Sequence, residues 1–245
     1  MQRSFFISVI LIMLSVLRAQ AQEVWPLTRG GTTVENFVSE MFFLTHSSGS
    51  MTLHGKCEDT QQGPLVLSDP LSHPPHGPFK GLDDAMTELS HALPRLSWTR
   101  DARGLMRVSD DRVIGDILRI RLKRVHFAHA TAPENAMQDI IAAPEVRSYL
   151  KEKGIEGEVF MSNIQPPGAK GLPELSGELH DVTVAQALDR VMKFFPGLWI
   201  YSECGRDSMR RVVIRGAVVA WPEVPAGAER GKQDHHIQPG RAAGR

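Results

Sequence analysis

Two pairs of histidines have a spacing that suggests metal ligands. His126 and His129 lie near the end of a predicted strand, where side chains three positions apart point to opposite faces and cannot readily reach one ion. His73 and His76 flank two prolines in a predicted loop and have no acidic or thiolate side chain nearby. A third pair, at 235–236, falls in a segment without periodicity. We interpret all of these histidines as solvated, and the sequence predicts no metal site and no cofactor.

A histidine and three serines follow the first predicted helix and raise the possibility of a hydrolase; they are His46, Ser47, Ser48 and Ser50. The strand–turn–helix context of a G-x-S-x-G nucleophile is missing, and Ser and Gly are typical of helix ends. The H-E-x-x-H, P-loop, dinucleotide-binding and kinase motifs are also missing. We therefore predict no catalytic residue. An enzyme of unrecognised class is the alternative, which titratable groups converging in one cleft would support.

A cationic stripe is predicted on the strand over residues 118–127. Arg119, Arg121 and Lys123 alternate with apolar residues, and Arg124 stands beside them. A stripe about 14 Å long could hold anionic envelope material such as lipid headgroups. The alternative is the polar side of a half-buried antiparallel strand, which we favour because the chain is not strongly basic.

Three aromatic side chains, Trp98, Trp199 and Tyr201, are candidates for a ligand platform. Trp199 and Tyr201 alternate with Leu198 and Ile200, so one face of this predicted strand belongs to the core, while the other is either covered or exposed. An exposed aromatic face would mark a binding patch, and an uncovered edge of the predicted hairpin could accept a partner strand. We predict Trp199 and Tyr201 as partner-binding residues, with burial in the core as the alternative.

The N-terminus has the features of a cleavable secretory signal peptide. Arg3 precedes an apolar run of 13 residues, and small residues follow at Ala19 and Ala21. The run is shorter than the roughly 20 residues needed to span a bilayer. We therefore predict a leader over residues 1–21, an exported bacterial protein that is periplasmic or secreted, and no transmembrane segment after cleavage.

The cysteine count is consistent with an exported chain. Cys57 and Cys204 are the two cysteines, and each follows a predicted strand. An even number of cysteines in an oxidising compartment favours a disulfide, with two free thiols as the alternative.

Composition excludes some classes of partner. Hydrophobic residues make up 42% and charged residues 23% of the chain, which is the ordinary globular range. Removal of the leader leaves 26 basic against 28 acidic residues, a net charge of about −2. A near-neutral chain is not typical of nucleic-acid binders, and we predict no nucleic-acid partner.

The order of predicted elements indicates an α+β fold with an internal repeat. The helix that begins near residue 184 aligns with the helix near residue 82, and a proline followed by a Trp-containing strand comes after each helix. Thr32 with Glu35, Thr131 with Glu134, and Thr183 with Gln186 are predicted capping boxes, and the first two precede equivalent helices.

We therefore expect two similar small units, each a short mixed or antiparallel sheet covered by two helices. The predicted division is a leader over 1–21, a first unit over 22–112, a second over 113–218 and a disordered tail over 219–245. The alternative to duplication is that any amphipathic helix followed by a hairpin gives such a likeness.

The segment Leu179–Val191 has a strand, a capped amphipathic helix and the pattern V-T-V-x-x-A-L, and hairpin strands follow at 198–201 and 212–214. This order resembles the short N-terminal domain shared by secretins and TonB-dependent transducers, over about residues 174–215, with a weaker copy around 79–109. The resemblance implies a periplasmic adaptor that docks onto protein partners and has no catalytic residues. The pore or barrel of those families has no counterpart here, so we expect a non-enzymatic envelope adaptor with a protein partner.

Overall fold

A computed structural model describes residues 32–60, 63–160, 174–205 and 210–218. The predicted leader, the predicted tail and the histidine pair at 235–236 lie outside the described residues. In the described part of the chain, no helix combines the length and the apolar character needed to cross a membrane.

The predicted α+β class is confirmed, because the described chain combines helices with a mixed sheet. The helices are α1 (Val34–Leu44), α2 (Leu82–Ala92), α3 (Pro133–Ile141), α4 (Pro144–Lys153) and α5 (Val184–Phe194). The strands are β1 (Gly49–His54), β2 (Lys56–Thr60), β3 (Gly63–Leu67), β4 (Leu96–Arg100), β5 (Met106–Asp110), β6 (Arg121–Ala130), β7 (Glu156–Phe160), β8 (Leu175–Thr183), β9 (Gly197–Cys204) and β10 (Arg211–Val218).

One of the three predicted capping boxes is confirmed. At the start of α5 the Thr183 hydroxyl accepts from the Gln186 N–H at 3.2 Å, and the Gln186 side chain accepts from the Thr183 N–H at 2.9 Å. The predicted capping boxes at Thr32 and Thr131 are wrong. Helix α1 is capped by Thr33, whose hydroxyl accepts from the Asn36 N–H at 3.2 Å. Helix α3 begins after Ala132 without a side-chain cap and has a proline in its first turn.

Six strands of the described chain form one mixed sheet in the order β4-β5-β1-β9-β10-β7. Strand β5 is antiparallel to β4 and parallel to β1, and likewise β10 is antiparallel to β9 and parallel to β7. The two halves therefore have the same internal order and directions, which is the arrangement that a duplication predicts. The parallel pairing of β1 with β9 joins them, so the two expected sheets are halves of one continuous sheet.

The helices of the two halves cover opposite faces of this sheet. Equivalent strands β4 and β9 run in opposite directions, so the second half is turned over relative to the first. We call first face the side with Met51, Val108 and Ile200, which packs against α1 and α2. The second face is the side with Trp199 and Tyr201, which packs against α3 and α5. Each half of the sheet thus has one face that its own helices do not cover.

A separate antiparallel ribbon of β6 and β8 packs against the core of the second face through Leu122, Val125 and Phe127. The predicted strand over 118–127 begins later than expected. Residues Ile117–Arg119 form a 3₁₀ turn that starts at Asp116, whose side chain accepts from the Ile117 N–H at 2.9 Å. Arg119 therefore does not share a strand face with the other cations, and that prediction is wrong.

The hairpin of β2 and β3 lies on the first face of the second half, and its first strand was not expected from the sequence. Val66 of β3 packs with Val213 of β10 and with Cys204 at the end of β9. The structure contains the disulfide between Cys57 and Cys204, with Cα atoms 5.3 Å apart. The hairpin is thus fixed covalently over the part of the first face that α1 and α2 leave open.

Candidate functional site

Trp199 and Tyr201 are core residues, and their interpretation as an exposed platform is wrong. Their exposed fractions are 2% and 0%. Strand β9 lies between β1 and β10, so its hairpin with β10 offers no free edge; the edges of this sheet are β4 and β7. The third aromatic candidate, Trp98, is half-buried against the core of the first face.

The histidine candidates have no common ligand. His126 lies 3.4 Å from Glu178, measured from Nδ1 to Oε1, and His129 lies 3.0 Å from Glu174, measured from Nδ1 to Oε2. His73 and His76 are exposed in a loop. Across the described ranges, no group of three or more His, Cys, Asp or Glu side chains could hold a metal ion.

The histidine and the three serines that follow α1 do not converge on one site. His46 is exposed just beyond α1, whereas Ser50 is buried in β1. The Thr45 hydroxyl donates to the Met41 carbonyl in the last turn of α1 at 2.7 Å, and the Ser47 hydroxyl lies 3.0 Å from the Thr45 hydroxyl. These groups therefore complete the end of α1.

The cationic stripe is largely paired within the chain. Arg124 forms an ion pair with Glu178, and Arg121 lies 3.7 Å from a carboxylate oxygen of the neighbouring strand β8. Arg119 donates to the carbonyl of Ile114 at 2.9 Å. Lys123 is the remaining cation of the stripe. Two of the four cations of the stripe, Arg121 and Arg124, therefore pair with carboxylates of β8.

A partly buried network of titratable side chains lies at one end of the sheet. Arg210 donates to Asp116 at 2.8 Å, Tyr149 donates to the same carboxylate at 2.5 Å, and Tyr201 donates to Glu203 at 2.8 Å. The hydrogen bond from Arg210 lowers the pKa of Asp116 to about 2, and burial raises the pKa of Tyr201 well above its usual range. Because Asp116 lies between the halves and Glu203 and Arg210 lie at the ends of β9 and β10, the network ties the connection between the halves to the sheet.

A cleft of about 780 Å³ lies beside α5 on the second face. Its walls are the turn between β4 and β5, the end of β8 and the outer side of α5. The lining residues are Asp101, Ala102, Arg103, Leu105, Arg107, Leu179, Val182, Gln186, Asp189, Arg190 and Lys193. The volume is within the range of about 300–1,000 Å³ that is typical of ligand pockets.

The cleft exists because helix cover on the second face is incomplete. Helices α3 and α5 pack on β9 and β10, and α5 also contacts β1. The side chains that β4 and β5 direct to this face are polar and at least partly exposed; they are Ser97, Thr99, Arg107 and Ser109. The outer side of α5 therefore stands as a wall above an open strip of sheet.

The Asp189 side chain is held in place at the cleft by two hydrogen-bond donors. Its carboxylate accepts from the buried Trp199 indole N–H at 2.8 Å and from Arg107 at 2.6 Å. Arg107 also lies 4.0 Å from Asp101. Trp199 thus contributes to the cleft from the core side: its indole N–H orients the Asp189 carboxylate, which in turn orients Arg107.

Three cations at the cleft have no counterion. Arg103, Arg190 and Lys193 are exposed, and none of them forms an ion pair with a described residue. Arg190 and Lys193 are three positions apart on α5, which places them side by side on one helix face. Arg103 lies on the opposite wall, in the turn. The cleft therefore has a positive rim on both sides.

The sequence contained part of this signal. Arg190 and Lys193 have the spacing of an exposed helix face, and Arg103 falls in a predicted turn. Their convergence depends on the pairing of β1 with β9, which brings the two halves together and has no local sequence signature.

Comparisons of this chain with protein-family models, with curated proteins and with solved structures found no match. The resemblance of residues 174–215 to the short N-terminal domain of secretins and TonB-dependent transducers therefore stays a prediction.

Proposed function

We propose that this chain is an exported, non-enzymatic adaptor of the bacterial envelope that binds a protein partner at the cleft beside α5. The observation that carries the proposal is the cleft itself: an open strip of sheet next to a helix wall, with three cations that have no counterion. Exposed concave surfaces of this size are typical binding sites, and unpaired surface cations attract an oppositely charged partner.

The arrangement of strands after β8 supports the adaptor interpretation. Strand β8 leads directly into the capped helix α5, and the hairpin of β9 and β10 follows. This is the order on which the resemblance to the secretin and TonB-dependent modules depends, and those modules dock onto other proteins. The disulfide between Cys57 and Cys204 agrees with an oxidising compartment.

The distribution of titratable groups favours binding over catalysis. The largest pKa perturbations belong to Asp116, Tyr201, Arg210 and Arg112, none of which lines the cleft. In the cleft, the Asp189 carboxylate accepts from Trp199 and Arg107 and thereby holds the Arg107 side chain in place.

The proposal is tested by capture from envelope extract with the mature chain. One variant carries Arg190→Glu and Lys193→Glu, which reverse two charges on the outer side of α5. The matched control carries Arg147→Glu and Lys151→Glu, which reverse two exposed charges on one face of α4, away from the cleft. Circular dichroism checks that both variants fold.

We expect a defined protein to be retained by the parent and by the α4 control and lost by the α5 variant. Equal capture by both variants would contradict the proposed site. Capture of lipid or other anionic material that instead requires Arg121 and Lys123 would favour the ribbon surface over the cleft.

A further inference from the structure

The geometry points to a short acidic peptide segment as the occupant of this cleft, with carboxylates at the two rims and an apolar side chain between them. This inference rests on the proposed function, because it names the chemistry of the partner segment at that same site. It follows from the charges, from the apolar wall and from the way the other half of the sheet is covered.

The charges select an anionic ligand. Four cationic and two anionic side chains line the cleft. Both carboxylates lie close to Arg107, at 2.6 Å for Asp189 and 4.0 Å for Asp101, so the lining keeps a net charge of +2, and the cations without a counterion are Arg103, Arg190 and Lys193. Since these three lie on two opposing walls, they form a clamp that suits a ligand with more than one negative group.

The apolar part of the lining selects a peptide over a small anion. Leu105, Leu179 and Val182 contribute to the wall and are each half-buried. Inorganic phosphate would leave this apolar area in water, whereas the side chain of a peptide residue such as Leu or Val would cover it. Backbone groups of a peptide can also hydrogen-bond to Gln186, which lies on the same side of α5.

The other half of the sheet shows how such an open face is covered. On the first face, the strands β9 and β10 are covered by the hairpin of β2 and β3, through Val66 and the disulfide at Cys204. Arg215 there donates to the Val66 carbonyl at 3.3 Å. The second face of β4 and β5 has no equivalent segment among the described residues, and the polar side chains that it presents stay accessible to a ligand.

The test uses a fluorescein-labelled short peptide in which Glu alternates with Leu and Ser, and the same peptide with Gln in place of Glu. Binding to the mature, oxidised chain is measured by fluorescence anisotropy. Exposed ion pairs each contribute about two- to fivefold in affinity, so three pairs predict that the Glu peptide binds about tenfold or more tightly than the Gln peptide. Raising NaCl to about 0.5 M should remove most of that difference.

Variants locate the binding. Arg190→Glu with Lys193→Glu should weaken the Glu peptide about tenfold, Lys193→Arg should leave it unchanged, and the α4 control with Arg147→Glu and Lys151→Glu should also leave it unchanged. Equal affinity for the Glu and Gln peptides would overturn the inference. The inference would also be overturned if the chain bound phosphatidylglycerol vesicles but not the peptide, and if this vesicle binding were lost in the variant with Arg190→Glu and Lys193→Glu.

The outcomes separate the inference from the proposed function. If envelope capture depends on the α5 charges but the Glu peptide does not bind, the cleft is a docking site and its acidic-peptide chemistry is wrong. If neither measurement depends on those charges, the cleft is not the binding site and both conclusions fall.

Discussion

Replacement of a single ring of β9 by serine should destabilise the whole domain. Trp199 and Tyr201 point to the second face, where α3 and α5 pack, and their exposed fractions are 2% and 0%. Each change also removes a hydrogen-bond donor from a carboxylate, Asp189 in one case and Glu203 in the other.

The expected loss can be estimated from the burial of each ring. Truncation of a buried Phe or Trp to Ala costs about 3–5 kcal/mol, and the loss of the hydrogen bond to the carboxylate adds to this cost. Domains of this size are stable by about 5–15 kcal/mol, so each single variant should fold, while the double variant should lose most of its stability. With a urea slope of about 2 kcal/mol per molar, the midpoint of each single variant should fall by about 1.5–2.5 M.

Equilibrium urea denaturation followed by far-UV circular dichroism, with the disulfide intact, measures this loss. The matched control is Phe43→Ser, because the Phe43 ring is 56% exposed and its removal should change stability by no more than about 0.5 kcal/mol. A midpoint for Trp199→Ser or Tyr201→Ser as close to the parent as that of the control would refute the assignment of these rings to the core.

Three further perturbations test other parts of the fold. Cys57→Ser with Cys204→Ser opens a link across 147 residues and should lower the free energy of unfolding by about 5 kcal/mol in the chain-entropy model, measured by urea denaturation; an unchanged midpoint would contradict it. Asp116 has a folded-state pKa of about 2, below its usual 3.8, so its stabilisation is present above about pH 4 and is lost as the pH falls to about 2. In Asp116→Asn, the pH dependence in that window should decrease by about 1 kcal/mol after allowance for solvent screening, and an unaltered acid transition would argue against the Arg210 interaction. Thr183→Ala should cost about 1 kcal/mol through loss of the α5 cap, whereas Thr183→Ser should cost much less.

Local patterns predicted most elements of the fold correctly. Helical spacing and a terminal proline placed α2 and α5, capping residues indicated α1 and α3, and the strands β4, β8, β9 and β10 were also expected. The confirmed capping box at Thr183 depends only on neighbours in sequence. Such features could be predicted because the contacts that create them lie within a few residues of one another.

The features that could not be predicted from the sequence depend on the pairing of strands that are far apart in the chain. Trp199 and Tyr201 alternate as they would on a surface strand, but the parallel pairing of β1 with β9 places that strand in the interior of one sheet. The same pairing brings Arg103 of the first half opposite Lys193 of the second. The burial of β9 on both faces and the cleft between the halves both result from the pairing of strands that are about 150 residues apart in sequence. Such pairing leaves no local signature.

Site-specific photo-crosslinking in intact cells that produce the protein tests the central claim most directly. A benzophenone side chain is placed at Ala102, an exposed residue of the cleft wall, and in a matched variant at Ser148, an exposed residue of α4. We predict one defined crosslinked protein from position 102 that is lost when Arg190 and Lys193 are reversed to Glu, and no such product from position 148. The same product from both positions, or a product from position 102 that survives the charge reversal, would contradict the assignment of the cleft as the partner-binding site.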